Sequence, residues 1–362
     1  MIERLFHNWE RQLADVSKDR IVRPFDWGLD WLDTPNAWTD GAATDDAAPP
    51  LDRISAWVEA ALRDSDAFFA VPPYHDWSFT PADPHLQEGG ESGTLTFESA
   101  YRTPHPENNT VYGRWFPMRE EAPLGTPGAR RGRAVVVLPQ WNSDAEGHVG
   151  LARLLARFGV SALRLSLPYH DRRMPPELSR ADYIVSSNVV RTAQVCRQAV
   201  LDARRAIAWL HAQGFERIGI VGTSLGSCLS MLTAAHEPLV RAAALNHVSP
   251  WFADVVWRGL STRHVRAGLE GHIDLETLRS IWRPISPWSY LDRMRRTPTL
   301  LVYARYDLTF PVDLSRVLVR EFRRLQLPHE VEVLPCGHYS TGMAPFKFLD
   351  AWILTRFLRR AL

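Results

Sequence analysis

Residues 217–231, RIGIVGTSLGSCLSM, run from an apolar stretch into Gly222-Thr223-Ser224-Leu225-Gly226 and on into a helical pattern. The short apolar run reads as a strand buried on both faces, and the segment after it reads as a helix. A serine between two glycines at such a junction occupies a strained turn, which pushes its hydroxyl out over the sheet. Gly222 and Gly226 are required because side chains there would collide with neighbouring backbone. The junction also starts a helix, so backbone donors and a positive dipole end face the same space. Ser224 is therefore a candidate nucleophile; its plainer role would be that of a helix cap. A dinucleotide fingerprint is excluded, since Ser224 stands where that motif needs its second glycine.

Working outward, the same strand-then-helix rhythm recurs. Residues 133–139 (RAVVVLP) and 160–168 (VSALRLSLP) are nearly continuous apolar runs, separated by an amphipathic helix at about 145–158. A long helix over about 188–213 ends at Gly214, in keeping with glycine as a helix stop. Beyond the Ser224 helix come strand RAAALNHV (241–248), a Trp-rich helical insertion at about 251–296, strand PTLLVYA (298–304), a helix over 312–326, strand HEVEVLP (329–335) and a last helix over 345–360. Repeated alternation of this kind predicts an α/β fold, with a mainly parallel sheet flanked by helices and right-handed crossovers. Upstream, TLTFESAYRT, the turn PHPENN and TVYGRWFPM (94–118) read as an antiparallel hairpin.

Residues 1–92 differ from the rest. They are rich in Trp, Asp and Pro, with helices expected at 2–16 and 51–69 and a polar loop in WGLDWLDTPNAWTDGAATDDAAPP (27–50). The reading is an N-terminal helical and loop appendage packed on a core domain spanning 93–362. Bulk properties agree with a globular chain: 362 residues, 45% hydrophobic, formal net charge +1. That balance offers no basic stripe for nucleic acid. Cys196, Cys228 and Cys336 are odd in number and far apart, so neither a disulfide framework nor a zinc site is expected. No run reaches the ~20 apolar residues of a membrane span, and the first turns carry charges, which makes a cytoplasmic location the default expectation.

In a parallel sheet, functional groups gather beyond the carboxyl ends of the strands. Those positions are 139–142, 169–173, Ser224, Asn246, His247, Asp307 and His338. A serine hydroxyl needs a base to take its proton, and an imidazole base needs a carboxylate to orient it. Asp307 follows an apolar strand and precedes Pro311; His338 follows the last strand in a glycine-containing loop. The order Ser, Asp, His results, with Asp254 as a rival acid. The oxyanion needs two donors. One is the amide of Leu225; for the other the Trp141 amide is favoured, with Gln140 as the alternative.

These residues resemble the α/β-hydrolase superfamily. The likeness rests on GTSLG (222–226), YARYDLTFP (303–311) and CGHYS (336–340), and covers residues 93–362. It implies an α/β-hydrolase fold with an eight-stranded sheet whose second strand is antiparallel, a small helical lid inserted after the sixth strand, and hydrolysis through an acyl-enzyme. Many members have His-Gly where this chain has Pro139-Gln140, which leaves the second oxyanion donor open. The segment ISPWSYLDRM (285–294) is similar in style to bacterial esterases, acetyl-xylan esterases and prolyl-oligopeptidase-like sequences.

Two further segments bear on the substrate. LPYHDRRMPPE (167–177) follows a strand and so should rim the site, where Tyr169 and Arg172 are candidates for substrate contact; loop-pinning by Asp171 and the arginines is the plainer role. Within the lid, Trp251 and Trp257 are candidates for lining the pocket, against a simple packing role. The leading expectation is a serine hydrolase acting on a small carboxylic ester or thioester, with no metal and no organic cofactor. The alternatives are a serine peptidase of prolyl-oligopeptidase-like type and a catalytically silent binding protein that retains the fold.

Overall fold

The computed structural model describes residues 1–17, 19–32, 47–82, 90–119, 121–126, 128 and 131–362. Among them nine strands form one sheet: β1 (Ser78–Pro81), β2 (Gly93–Glu98), β3 (Thr110–Phe116), β4 (Arg131–Leu138), β5 (Ser161–Leu165), β6 (Phe215–Thr223), β7 (Val240–Asn246), β8 (Thr299–Ala304) and β9 (His329–Leu334). Their order is β1-β2-β3-β5-β4-β6-β7-β8-β9. Strands β4 to β9 are parallel. The hairpin β2–β3 pairs Gly93 with Trp115, and β3 is antiparallel to β5 as well. The expected eight strands are β2 to β9, with the second antiparallel.

The ninth strand corrects that count and comes from the segment read as an appendage. β1 adds to the free edge of β2 in antiparallel register, Pro81 opposite Gly93. An edge is where a proline, which has no amide hydrogen, can be accommodated. Residues 1–92 are also tied into the main core: Ile54, Trp57, Phe68 and Phe69 are buried in one cluster with Val136, Ile220 and Leu245. Most of the polar stretch 27–50 lies outside the described residues.

The apolar runs of the central strands have two masters. Val136 and Leu138 of β4 face the helices Val189–Ala212 and Leu225–His236, whereas Val135 and Val137 face Val149–Arg157 and Phe346–Ala361. Side chains alternate across a strand, so a sheet covered on both sides needs apolar residues at every position. The helix Leu225–His236 is buried along its whole length, lying between the sheet, the long helix and the 3-10 segment Pro287–Arg296. Its N-terminus is thereby fixed above the centre of the sheet. No helix among the described residues is long and apolar enough to cross a membrane.

The insertion after β7 consists of the short helices Phe252–Arg258, Arg263–Leu269 and Leu275–Ile281, followed by Pro287–Arg296. Leu269, Leu278, Ile281 and Trp282 are buried in the main core, so the segment is anchored while its first helix stands over the sheet's carboxyl edge.

Candidate active site

Ser224 sits between β6 and the helix Leu225–His236 with φ 58° and ψ −119°. A non-glycine residue in this conformation is strained and must be held by its surroundings. Its amide donates to Asn246 O at 2.8 Å. The Ser227 hydroxyl lies 2.8 Å from the carbonyls of both Ser224 and His247 and donates its one hydrogen between them. A Cβ on Gly222 would stand 2.0 Å from Gly226 O, and one on Gly226 would stand 2.3 Å from Leu138 O. Both glycines are therefore demanded by close backbone approach, and Gly226 brings the helix start against the loop after β4.

Asp307 follows β8 and is buried. Its Oδ1 accepts the amides of Thr309 and Phe310 at 2.8 and 2.7 Å. Its Oδ2 accepts from two imidazoles, His247 Nδ1 at 2.8 Å and His338 Nδ1 at 3.0 Å. Burial opposes ionisation of this carboxyl, but the two histidines overcome it and hold the group well below the usual carboxylate range. With Nδ1 of His338 donating, its Nε2 is left as the proton acceptor. The His338 ring lies parallel to Phe310, 9° between planes at 5.3 Å. The three side chains also form a group whose ligand atoms lie within 4.8 Å of one another, yet both Nδ1 atoms are engaged with Asp307.

The loop carrying His338 is held from the far end of the chain. Glu10, on the first helix (Ile2–Ala14), is fully buried. Its carboxylate accepts the amides of Tyr339 and Ser340 at 2.8 and 2.9 Å and the Ser340 hydroxyl at 2.7 Å. No local signal in the sequence marks this contact, because its partners are some 330 positions away.

At the oxyanion side, Leu225 opens its helix, where an amide has no intrahelical acceptor. In the loop after β4, the Asn142 amide is taken by His170 Nε2 at 2.9 Å. His170 Nδ1 meets Pro168 O at 2.8 Å, so the ring is a neutral brace, its pKa pushed down to about 4 chiefly by burial. That leaves the amides of Gln140 and Trp141 as the loop's candidates. The Trp141 indole donates to Ala181 O at 2.8 Å, which fixes the loop.

Ser224, His247, His338, Gln140, Trp141 and Leu225 line one cavity of about 810 Å³. Trp251, Phe252, Val255 and Phe310 give it an apolar wall. Other expected contacts go elsewhere. Trp257 does not line the cavity; it packs on the core under the Arg266 guanidinium. Tyr169 is buried, its hydroxyl 2.9 Å from His105 Nδ1, and Arg172 is exposed over the Tyr112 ring. The loop folds inward instead because the buried Arg173 binds Asp202 and Asn108 O, and Arg164 binds Asp171. The rival acid Asp254 is paired at both oxygens with Arg279, at 2.8 and 2.6 Å.

No protein-family model matches the chain, and no curated protein matches its sequence. Solved structures do. Acetyl xylan esterase from Paenibacillus sp. R4 is 17% identical at a TM-score of 0.59, over 97% of this chain and 99% of that one. Acetyl xylan esterase 1 from Thermoanaerobacterium sp. JW/SL YS485 is 14% identical at 0.58, over 92% and 99%. Pyrococcus horikoshii acylaminoacyl peptidase is 15% identical at 0.57, over 83% of this chain but 43% of its own length, so the chain spans less than half of that peptidase. The chain has the α/β-hydrolase fold.

Proposed function

We propose that the protein is a serine hydrolase that cleaves a carboxylic ester or thioester through an acyl-enzyme. The observation that carries this reading is the strained Ser224 turn opening into the same cavity as an imidazole whose Nδ1 is bound to a buried, ionised carboxylate. Ser224 Oγ attacks the carbonyl carbon while His338 Nε2 takes its proton. The carbonyl π electrons move to oxygen, and the amides of Leu225 and of Trp141 or Gln140 meet the developing charge. On collapse the bond to the leaving group breaks, and His338 returns the proton to the departing alcohol or thiol. Water then repeats the sequence on the acyl-enzyme and releases the acid. Asp307 stabilises the imidazolium and keeps its tautomer fixed.

A fluorophosphonate probe tests this directly. The wild-type protein should be labelled on Ser224 and turn over short p-nitrophenyl esters; Ser224→Ala should take no label and lose roughly 10³-fold or more in kcat. An unlabelled, folded wild-type protein overturns the reading and leaves a silent binding protein of the same fold. The likeness to an acylaminoacyl peptidase supports one second reading, amide cleavage. Turnover of acylaminoacyl amides exceeding that of matched esters would favour it.

A further inference from the structure

We propose that Arg20, backed by Arg180, reads an anionic group of the substrate inside the catalytic cavity, so that the preferred ester carries a carboxylate or a comparable anion. This rests on the hydrolase reading of that cavity. Both arginines line it, together with Ser224 and His338. They differ in what already neutralises them. Arg180 is buried, bound to Asp19 at 2.9 Å and 3.6 Å from Asp182, with its guanidinium 5.5 Å above the Trp141 ring. Arg20 is half-buried, and its polar contact among the described residues is the phenol oxygen of Tyr339, to which Nη2 donates at 3.1 Å. Its Nε is buried without an acceptor among the described residues.

A half-buried guanidinium with no carboxylate partner is costly unless something anionic meets it. Its planar fork matches a carboxylate or phosphate with two parallel hydrogen bonds. The location suits recognition during reaction, because Tyr339 follows His338 directly and their rings lie 6.0 Å apart. Tyr339 is itself fixed by Ser261 at 2.7 Å, and Ser261 by Thr309 at 2.9 Å. The guanidinium thus hangs on a braced chain beside the general base.

The surrounding field has the same sign. His264, stacked on Trp141 at 5.7 Å, has its pKa pushed down to about 4, first by burial and then by Arg180, Arg20 and Arg263, with Asp19 pulling the other way. Arg263 and Arg23 are already paired, with Asp15 and Asp182, and Lys347 adds a further cation to the cavity wall. Arg172, a candidate for substrate contact from the sequence, does not line the cavity, nor does Arg173; Arg20 reaches it from the N-terminal segment.

Two matched ester pairs test the proposal. Mono-p-nitrophenyl succinate against p-nitrophenyl butyrate places the charge on the acyl side, and 4-acetoxybenzoate against phenyl acetate places it on the leaving group. In at least one pair the wild-type kcat/KM for the anionic ester should exceed that for the neutral one by tenfold or more, with the ratio falling as salt is added. Arg20→Gln should lower that ratio at least tenfold, and Arg20→Lys should restore part of it. A wild-type ratio near one in both pairs, or a ratio unchanged by Arg20→Gln, overturns the proposal. If no ester is turned over and no fluorophosphonate label appears, the hydrolase reading fails by itself. Titration with glutarate followed by tryptophan fluorescence then decides the anion site: saturable binding lost in Arg20→Gln upholds it, and absence of binding overturns it.

Discussion

His247 and His338 meet at one atom: each directs Nδ1 at Oδ2 of Asp307, at 2.8 and 3.0 Å, with their ring centroids 4.2 Å apart. The proposed base therefore shares its carboxylate with a second, almost fully buried imidazole at the end of β7. Two donors on one oxygen divide its charge. Removing His247 takes one buried donor from Oδ2 and loosens the hold on Asp307, which in turn orients His338. For His247→Phe, kcat should fall by roughly tenfold. His247→Asn keeps a donor near the Nδ1 position and should recover part of that loss. Steady-state kinetics of both variants check this; equal losses in the two would give His247 a packing role only.

The Glu10 clamp makes a separate prediction. Glu10→Ala leaves the buried amide and hydroxyl of Ser340 and the half-buried amide of Tyr339 without their acceptor, and each buried loss costs about 1–3 kcal/mol. The variant should lose stability on that scale in urea denaturation and lose kcat as well, since the freed loop carries His338. Glu10→Gln, which keeps one acceptor oxygen, should fall between.

Close approach around the Ser224 turn predicts an asymmetry between neighbours. Gly226→Ala places a methyl 2.3 Å from Leu138 O and 2.5 Å from Pro139 O, both backbone atoms that cannot swing aside as a side chain would. Overpacking of about 1–3 kcal/mol or more is expected. Gly150→Ala, with nothing within 4 Å of its Cβ, is the control. Thermal melts of the two variants should differ by several degrees.

A fourth prediction concerns pH and stability. Asp350, half-buried in the cavity wall with Oδ2 accepting from Asn246 Nδ2 at 2.8 Å, has its pKa raised to about 6, mainly by burial of its carboxyl. A carboxyl whose folded-state pKa lies above its unfolded value binds more protons when folded. Its ionisation therefore destabilises the fold, and the penalty grows as pH rises from about 4 through 6. Asp350→Asn should be more stable than wild type at pH 8, by at most about 3 kcal/mol for a shift of about two units. The two should converge near pH 4. Urea denaturation at both pH values measures the difference.

What could be read from the sequence were features whose causes are local. The strand, turn and helix around Ser224 follow from its two glycines and flanking apolar runs; the hairpin 94–118 follows from alternation around a Pro/Asn turn. Strand ends at Asp307 and His338 follow from where apolar runs stop, because parallel topology sends such ends to one edge. The missed features depend on partners far along the chain. Tyr169 and Arg172 follow a strand, as site residues do, yet buried pairs elsewhere in their loop turn them from the cavity. Trp251 precedes one short helix and Trp257 lies on it, and only tertiary packing decides which of them lines the cavity. His247 was visible as a strand-end residue, but its sharing of Asp307 depends on the registry of β7 beside β8.

The bond between Glu10 and residues 339–340 joins segments some 330 positions apart, and this orders events during synthesis. The first helix emerges well before its partners and waits, its acidic anchor unsatisfied, until residues 339–340 are translated. Only then can the loop bearing His338 lock, so a chain truncated shortly before residue 339 would retain the nine strands and lack the clamp.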